Sequence, residues 1–331
     1  MQGYVLTRYK RPLELREVPE PKAGEGEVLI RVRAAGLNPT DYKVRDGMAR
    51  LFYRYDLPVV AGNELAGVVE AVGNGVTRHA VGDRVFSRVD HHKMGAFAEY
   101  AVVAEDLVGR MPKSLDFDEA AALPLAGLTA LQGLRDKLAV KAGDRLLITG
   151  GAGGVGTLAI QLAVWMGVTV ATTASPRGEK LVRSLGAETV IDYQAQKPKD
   201  VLRDYDGAFD LVGGQDLRDC FDVLKPGAKT VSIAGVPEPK MVREDVGLGP
   251  LWAVGAWALS TKIRRLARRK GVSYRLMLMH SSGDDLDLLA HLVDDGHLRP
   301  VIDRVLPFRQ ISDALAHVEQ GRAKGKVIVR L

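Results

Sequence analysis

The sequence predicts an α/β chain with two domains, one barrel-like and rich in strands, the other built on a doubly wound parallel sheet. Three observations lead to this prediction. The first third of the chain holds short alternating strands separated by Gly, Pro and Asp. From Phe117 onward strands and helices alternate, as they do in a parallel sheet. A glycine-dense turn at 150–156 joins the first strand of that alternation to a helix.

The predicted elements follow in chain order. The first part contains strands at 27–33, 67–73, 83–86 and 97–103. Helices are predicted at 117–123 and 125–137, on either side of Pro124. The alternating part contains strands at 145–149, 168–173, 189–191, 208–212 and 229–233, and helices at 157–166, 177–185 and 216–223. The last part contains strands at 274–279, 301–306 and 326–329, and helices at 284–294 and 311–320.

Composition is that of an ordinary globular protein. The 331 residues are 46% hydrophobic and 26% charged, with a net charge of +5, and can form two cores. The single cysteine, Cys220, excludes disulfide frameworks and Cys-rich zinc sites within the chain. The N-terminus lacks the apolar core of a secretory signal, and the apolar stretch 248–259 is too short for a membrane span. We expect a cytoplasmic protein without stable membrane insertion and without a nucleic-acid partner.

The segment 240–270 is the least regular, and we expect an insertion with one amphipathic helix there. It ends in a basic cluster at 262–270. A solvated helix face is the expected role of this cluster, and contact with an anionic membrane or a nucleic acid is the alternative.

The glycine-dense turn has the context of a dinucleotide site. Glycines let the backbone approach a pyrophosphate, and the following helix offers unpaired N–H groups at its positive end. The strand–turn–helix order makes this pattern more specific than a glycine run alone. The residues predicted to bind the pyrophosphate are Gly151, Ala152, Gly153, Gly154, Val155 and Gly156.

The next strand, 168–173, indicates which nicotinamide cofactor is used. It ends without the Asp or Glu that holds the ribose 2′-hydroxyl in NAD enzymes. Ser175 can instead donate a hydrogen bond to a 2′-phosphate, and Arg177 can pair with it, with Lys180 one turn further on. The pattern therefore predicts NADPH as the cofactor.

Several further motifs occur in an order that matches one family over nearly the whole chain. They lie at 35–41, 62–69, 81–85, 95–100, 123–130 and 325–329. With the glycine turn, they resemble the medium-chain dehydrogenase/reductase superfamily, in its zinc-independent quinone oxidoreductase and enone reductase branch. The resemblance implies a GroES-like catalytic domain from 1–122 and 284–331, around a Rossmann NADPH-binding domain at 123–283.

The resemblance also implies that no metal is bound. Asn38 and Asn63 stand where the zinc-dependent branch has a cysteine and a histidine. Carboxamides are poor zinc ligands, and Glu64 alone cannot hold the ion. Reduction of a polarised C=C bond or a quinone remains feasible, because hydrogen-bond donors can stabilise the developing oxyanion.

The candidate catalytic residues are implied by the same resemblance. Asn38 and Lys43 are expected to stabilise an enolate or quinol oxygen, and Tyr42 to donate a proton or to pack. A turn role for Asn38 and a solvent-facing position for Lys43 are the alternatives. The further residues expected near the cofactor are Asn63, Thr129, Tyr193, Ile233 and Ala234.

These features predict hydride transfer from NADPH to an α,β-unsaturated carbonyl compound or a quinone. One alternative is an enoyl-CoA reductase in which the basic cluster meets CoA phosphates. The other is a non-catalytic NADPH-binding sensor or scaffold. The apolar strand at 274–279 is expected at a sheet edge, where it would pair two copies into a homodimer.

Overall fold

The computed structural model describes residues 1–48, 50 and 55–331. The strands β1–β16 are Gln2–Leu6, Glu14–Glu17, Glu27–Leu37, Val59–Val60, Glu64–Val72, Arg84–Arg88, Tyr100–Ala104, Val108–Arg110, Arg145–Ile148, Thr169–Ala174, Thr189–Asp192, Tyr205–Asp210, Leu224–Ser232, Ser273–Leu276, Ile302–Pro307 and Lys326–Arg330. The helices α1–α10 are Pro39–Arg45, Phe117–Ala121, Pro124–Gln132, Gly154–Trp165, Pro176–Ser184, Pro198–Val201, Gly214–Val223, Pro250–Arg269, Gly283–Asp294 and Ile311–Glu319. Two compact units are present: unit 1 is Met1–Leu128 with Ser281–Leu331, and unit 2 is Thr129–His280.

Unit 1 is built on a seven-stranded sheet and a three-stranded sheet. The larger sheet runs in the order β15-β16-β3-β5-β6-β8, with β7 also pairing with β3. The C-terminal strand β16 lies antiparallel to β3, with Val327 opposite Leu37. On its other side β3 pairs with β5, with Gly36 opposite Glu64. Three segments that are far apart in sequence therefore meet at one end of β3.

Unit 2 is a six-stranded sheet in the order β11-β10-β9-β12-β13-β14. Every pair in it is parallel, which confirms the predicted doubly wound sheet. Its central strands are apolar on both faces, with Leu146, Leu147 and Phe209 fully buried. All strand carboxyl ends lie at one edge, called here the strand edge, where such sheets bind ligands.

The structure corrects several predicted boundaries. The helix predicted at 125–137 ends at Gln132 and continues as a π-helical turn, Gly133–Leu138. At Gly133 a Cβ would lie 2.4 Å from the Phe209 ring, so this turn packs closer than most side chains allow. The predicted strand 97–103 begins only at Tyr100.

The bounds of three strands of unit 2 differ from those predicted. The strands predicted at 208–212 and 229–233 begin at Tyr205 and Leu224. A register shift next to Tyr205 lets them stay paired although Pro226 and Gly227 interrupt the second strand. The strand predicted at 274–279 ends at Leu276. It is the last strand of its sheet, so its edge position is confirmed.

Six short elements were not predicted from the sequence. They are β1, β2, β4, β8, α1 and α6. Each is too short for a periodic pattern to develop, and β4 has only two residues. The segment 240–270, where one amphipathic helix was expected, contains the 20-residue helix α8. No helix among the described residues is long and apolar enough to cross a bilayer.

Candidate functional site

The glycine turn connects β9 to α4 at the strand edge. Gly150 adopts φ of +67°, a left-handed conformation that glycine tolerates best. Its N–H donates to Thr173 Oγ1 over 2.9 Å, and the Gly151 N–H donates to the Thr173 carbonyl over 3.0 Å. These two bonds fix the turn against the end of β10, directly before the first N–H groups of α4.

Two positions in the turn admit only glycine. A Cβ on Gly151 would lie 2.1 Å from Thr172 Oγ1, and a Cβ on Gly156 would lie 2.4 Å from the Gly150 carbonyl oxygen. Gly153 is the N-cap of α4 and has no side chain to occupy the N–H groups behind it. This bare helix start suits the pyrophosphate of a dinucleotide.

The residues predicted to bind a 2′-phosphate lie at the ends of β10 and β11. Ala174 and Asp192, the last residues of the two strands, are paired in register. Ser175 and Tyr193 follow them directly, so the two side chains start from neighbouring strand ends. Tyr193 is 54% exposed, so part of its ring is open to a ligand.

The charges near these strand ends favour an anion. Arg177 and Lys180 lie in the first turns of α5, and both are exposed. β10 ends in Ala174 without an acid. Asp192 ends the next strand, and its Oδ1 accepts a hydrogen bond from the Gln194 N–H over 3.0 Å.

A buried carboxylate that the sequence analysis missed organises the middle of the strand edge. Asp210, at the end of β12, accepts hydrogen bonds from Thr149 Oγ1 over 2.8 Å and from Ser232 Oγ over 2.7 Å. These three residues follow or end three adjacent strands. The Asp210 carbonyl also accepts from the Ile233 N–H, and Ser232 Oγ accepts from the Ala234 N–H.

This network holds the predicted cofactor residues Ile233 and Ala234 at the strand edge, where the sequence analysis expected them. The signal for Asp210 is a polar residue at the end of each of three neighbouring strands. The remaining predicted residue of unit 2, Thr129, lies on α3 and is 5% exposed.

Unit 1 contains a buried polar cluster of five residues. We call it the polar cluster, and its members are Asn38, Asp41, Asn63, Glu64 and Lys326. The Lys326 ammonium donates to Asn38 Oδ1 over 2.6 Å and to the Leu37 carbonyl over 3.2 Å. It also forms an ion pair with Glu64 Oε1.

The Glu64 carboxylate is fully satisfied within unit 1. Asn38 Nδ2 donates to Oε1 over 2.7 Å, and the Leu125 N–H donates to Oε2 over 2.7 Å. Glu64 is 0% exposed, and a Cβ on Gly36 would lie 2.3 Å from its Oε1. Gly36 is therefore required because β3 passes directly over the carboxylate.

The other half of the polar cluster is centred on Asp41. Asn63 Nδ2 donates to its Oδ1 over 2.6 Å, and the Asn38 N–H donates to its Oδ2 over 2.7 Å. Burial raises the pKa of Asp41 to about 6, although both hydrogen bonds favour its charged form. Asn38 precedes Pro39 at the start of α1, so it has the turn position foreseen as an alternative, and its amide is also engaged.

Lys326 is the member of the polar cluster that the sequence analysis did not single out. It opens β16, and the pairing of β16 with β3 brings it beside Asn38. The available signal was a lysine directly before the apolar run 327–329. Its partners lie far from it in the sequence, so no local pattern indicates them.

These residues do not fit a zinc ion. Asn38, Asn63 and Glu64 provide no thiolate and no imidazole. The Asn38 and Glu64 oxygens that would face a metal already accept from the Lys326 ammonium. Among the described residues no group of three His, Cys, Asp or Glu side chains could hold a metal ion.

The predicted catalytic residues Tyr42 and Lys43 both lie on α1, and both are half-buried. Burial raises the pKa of the Tyr42 hydroxyl, with smaller contributions from the carboxylates of Glu319 and Asp46. Tyr42 therefore remains protonated at neutral pH. The structure does not bring either side chain into a hydrogen bond with the polar cluster.

Known proteins and protein families are similar to this chain over nearly its whole length. The alcohol dehydrogenase GroES-like domain matches residues 24–113, and the zinc-binding dehydrogenase family matches residues 185–329. The NADPH-dependent alkenal/one oxidoreductase of Arabidopsis thaliana is 37% identical over 94% of this chain and 73% of its own length. The mitochondrial NAD(P)H oxidoreductase RTN4IP1 of Danio rerio is 36% identical over 92% of this chain and 84% of its own length.

The solved quinone oxidoreductase of Coxiella burnetii superimposes with a TM-score of 0.85, at 30% identity, covering 100% of this chain and 99% of that chain. The chain belongs to the medium-chain dehydrogenase/reductase superfamily, in its quinone oxidoreductase and enone reductase branch. The predicted fold, a GroES-like part and a Rossmann-like parallel sheet, is confirmed.

As a member of this branch, the protein is an oxidoreductase that uses a nicotinamide cofactor. The glycine turn and the bare start of α4 fit that cofactor. The choice of NADPH, the absence of zinc, the roles of single residues, the homodimer and the cytoplasmic location stay predictions.

Proposed function

We propose that the protein transfers a hydride from NADPH to an α,β-unsaturated carbonyl compound or a quinone, without zinc. The observation that carries this proposal is the Lys326 ammonium bonded to Asn38 and Glu64. In the zinc-dependent branch, alkoxide chemistry relies on a Lewis acid. With an ammonium in contact with these oxygens, the acceptor must be one that donors alone can activate.

Two relatives support the substrate class by their names. One is the alkenal/one oxidoreductase of Arabidopsis thaliana, and the other is the 2-methylene-furan-3-one reductase of Solanum lycopersicum, which is 36% identical over 94% of this chain. Both names describe an electron-poor C=C bond conjugated to a carbonyl. Such a bond accepts a hydride when its carbonyl oxygen receives hydrogen bonds.

NADPH is proposed over NADH because of the strand ends of β10 and β11. Ser175 and Tyr193 follow the paired strand ends Ala174 and Asp192, and Arg177 and Lys180 lie in the first turns of α5, which supports a site for a 2′-phosphate there. Guanidinium and ammonium groups bind phosphate strongly. The last residue of β10 is not an Asp or Glu, which in NAD enzymes binds the ribose hydroxyls.

In the proposed mechanism the bound cofactor supplies the hydride, and the chain binds, orients and polarises. Lys43 and Asn38 stabilise the oxygen on which negative charge develops. The polar cluster holds Asn38 rigid, because both atoms of its amide have fixed partners. Tyr42 lies on α1 beside Lys43, and its protonated hydroxyl donates a hydrogen bond to this oxygen. Solvent supplies the final proton.

We further propose that unit 1 is the catalytic domain and unit 2 the NADPH-binding domain.

The edge position of β14 supports a homodimer in which two copies pair along this strand. The molar mass from light scattering tests it: twice the chain mass is expected, and a single chain mass contradicts it.

The experiment that tests the function is cofactor oxidation by metal-stripped protein. NADPH and NADH are each offered with short enones, quinones and crotonyl-CoA. We expect turnover with NADPH and enones or quinones, unchanged when zinc is added back. Turnover restricted to crotonyl-CoA indicates the enoyl-CoA reductase. Tight NADPH binding without turnover on any acceptor contradicts the proposal and favours a sensor or scaffold.

A further inference from the structure

Helix α8, Pro250–Arg269, carries an exposed apolar surface in its first half. Leu251, Leu259 and Val254 are 86%, 68% and 66% exposed, more than any other large hydrophobic side chain among the described residues. Trp252 and Trp257 are exposed beside them. Soluble surfaces rarely gather this many apolar side chains within three turns of one helix.

The helix is anchored to unit 2 by its opposite side. Ala256, Ser260 and Ala267 are its buried residues, at helical spacing on one stripe. Ala267 packs in the core cluster beside the sheet, together with Ile263 and Leu266. Because this side holds the helix in place, the apolar side chains of the first half stay directed to solvent.

The second half of the helix is strongly basic. The outward stripe passes from Leu251, Val254 and Ala258 to Lys262, Arg265 and Arg269. Arg264, Arg268 and Lys270 add to the cluster, and Lys270 pairs with Asp222 over 2.5 Å. None of the other cations pairs with a carboxylate of the described residues, and α8 itself contains no Asp or Glu.

We infer that α8 is a docking surface for an anionic lipid bilayer. Its apolar first half enters the boundary between headgroups and acyl chains, where tryptophan is favoured. Its basic second half remains at the level of the anionic headgroups. The helix of 20 residues is roughly 30 Å long, so both halves reach one flat surface without crossing it.

A bilayer matches this surface better than the other occupants. A nucleic acid would pair with the cations and leave the apolar half in water. In a second copy, antiparallel helices would set cations against apolar side chains, and parallel helices would set cations side by side. Of these three occupants, the anionic bilayer alone satisfies both halves at once.

The test uses the full chain and vesicles of phosphatidylcholine, with or without phosphatidylglycerol. The chain has three tryptophans, and in Trp165→Phe both that remain lie on α8. We expect this variant to co-float with the anionic vesicles, with blue-shifted tryptophan emission. Binding to vesicles without phosphatidylglycerol should be at least tenfold weaker, and high salt should release the protein.

Two sets of substitutions separate the halves of the helix. The apolar set is Leu251→Ser, Val254→Ser and Leu259→Ser, and the basic set is Arg264→Gln, Arg265→Gln, Arg268→Gln and Arg269→Gln. Each set should lower binding at least tenfold without changing NADPH oxidation. The matched controls are exposed residues elsewhere, Val81→Ser for the first set and Arg11→Gln, Lys22→Gln, Arg33→Gln and Arg322→Gln for the second.

Three results overturn the inference. One is folded, active protein that does not bind anionic vesicles, and another is vesicle binding that both sets leave intact. The third is a dimer that the apolar set converts to a monomer, which assigns the surface to a second copy. Loss of crotonyl-CoA or nucleic-acid binding in the basic set, without vesicle binding by the parent protein, assigns the cations to those ligands.

Discussion

The polar cluster of unit 1 and the strand edge of unit 2 use similar side chains in opposite ways. In the polar cluster, the Lys326 ammonium is buried. It pairs with Glu64 and donates hydrogen bonds to Asn38 and to a backbone carbonyl. At the strand edge, Arg177 and Lys180 of α5 are exposed, and α4 begins at Gly153 without a capping side chain. The polar groups of the cluster are therefore satisfied largely within the chain, whereas the strand edge presents exposed cations and an uncapped helix start, the arrangement expected of an anion site.

The largest expected effect comes from breaking the buried ion pair. Lys326→Met leaves the Glu64 carboxylate buried without its cation, which destabilises by about 3–5 kcal/mol. The double variant Glu64→Gln with Lys326→Met removes both charges and should recover much of this loss. Urea unfolding measures the free energies. The exposed Lys22→Met is the control, and a loss no larger than in that control contradicts a cluster whose polar groups are satisfied within the chain.

The second-largest expected effect concerns the strand edge. In Gly156→Ala, the new Cβ would meet the Gly150 carbonyl at 2.4 Å and displace the glycine turn. We expect NADPH affinity to fall by roughly 100-fold, because the turn no longer fits the phosphates. Calorimetric titration measures it. Gly255→Ala, in α8, is the matched control, since nothing lies within 4 Å of its Cβ position. Equal affinity in both variants refutes the phosphate site.

A smaller effect tests which anion the strand edge binds. Arg177→Gln with Lys180→Gln should raise the KM for NADPH roughly tenfold, since two charge-assisted contacts to the 2′-phosphate are lost. The KM for NADH should not change, because NADH lacks that phosphate. Arg183→Gln on the same helix is the control, as Arg183 already pairs with Glu179 over 2.9 Å. A parallel rise for both cofactors places these cations elsewhere.

The smallest effect is a pH dependence of the polar cluster. Burial raises the pKa of Asp41 to about 6, so its charged form destabilises the folded state above that pH. As the pH falls from 7 to 5 the group protonates in the folded protein only, and it contributes about 1 kcal/mol of stability. The difference in unfolding free energy between the wild type and Asp41→Asn should shift by this amount. A constant difference shows that Asp41 stays ionised.

The strand edge was largely predictable from the sequence, and the polar cluster was not. The glycine turn, Ser175 and Arg177 follow their strands within a few residues, and carboxyl ends of parallel strands always meet at one edge. Asn38 and Asn63 were identified through the resemblance, but their partners were not. Lys326 reaches them only through the antiparallel pairing of β16 with β3.

The sequence by itself determined the order of strands and helices, the parallel sheet and the glycine turn, because periodicity and local turn chemistry encode them. It also determined the apolar-then-basic order along α8. Only the tertiary structure decided that Lys326 contacts Glu64, that Asp210 joins three strands, and that the apolar half of α8 faces solvent. Those contacts depend on packing between distant segments, which no local pattern specifies.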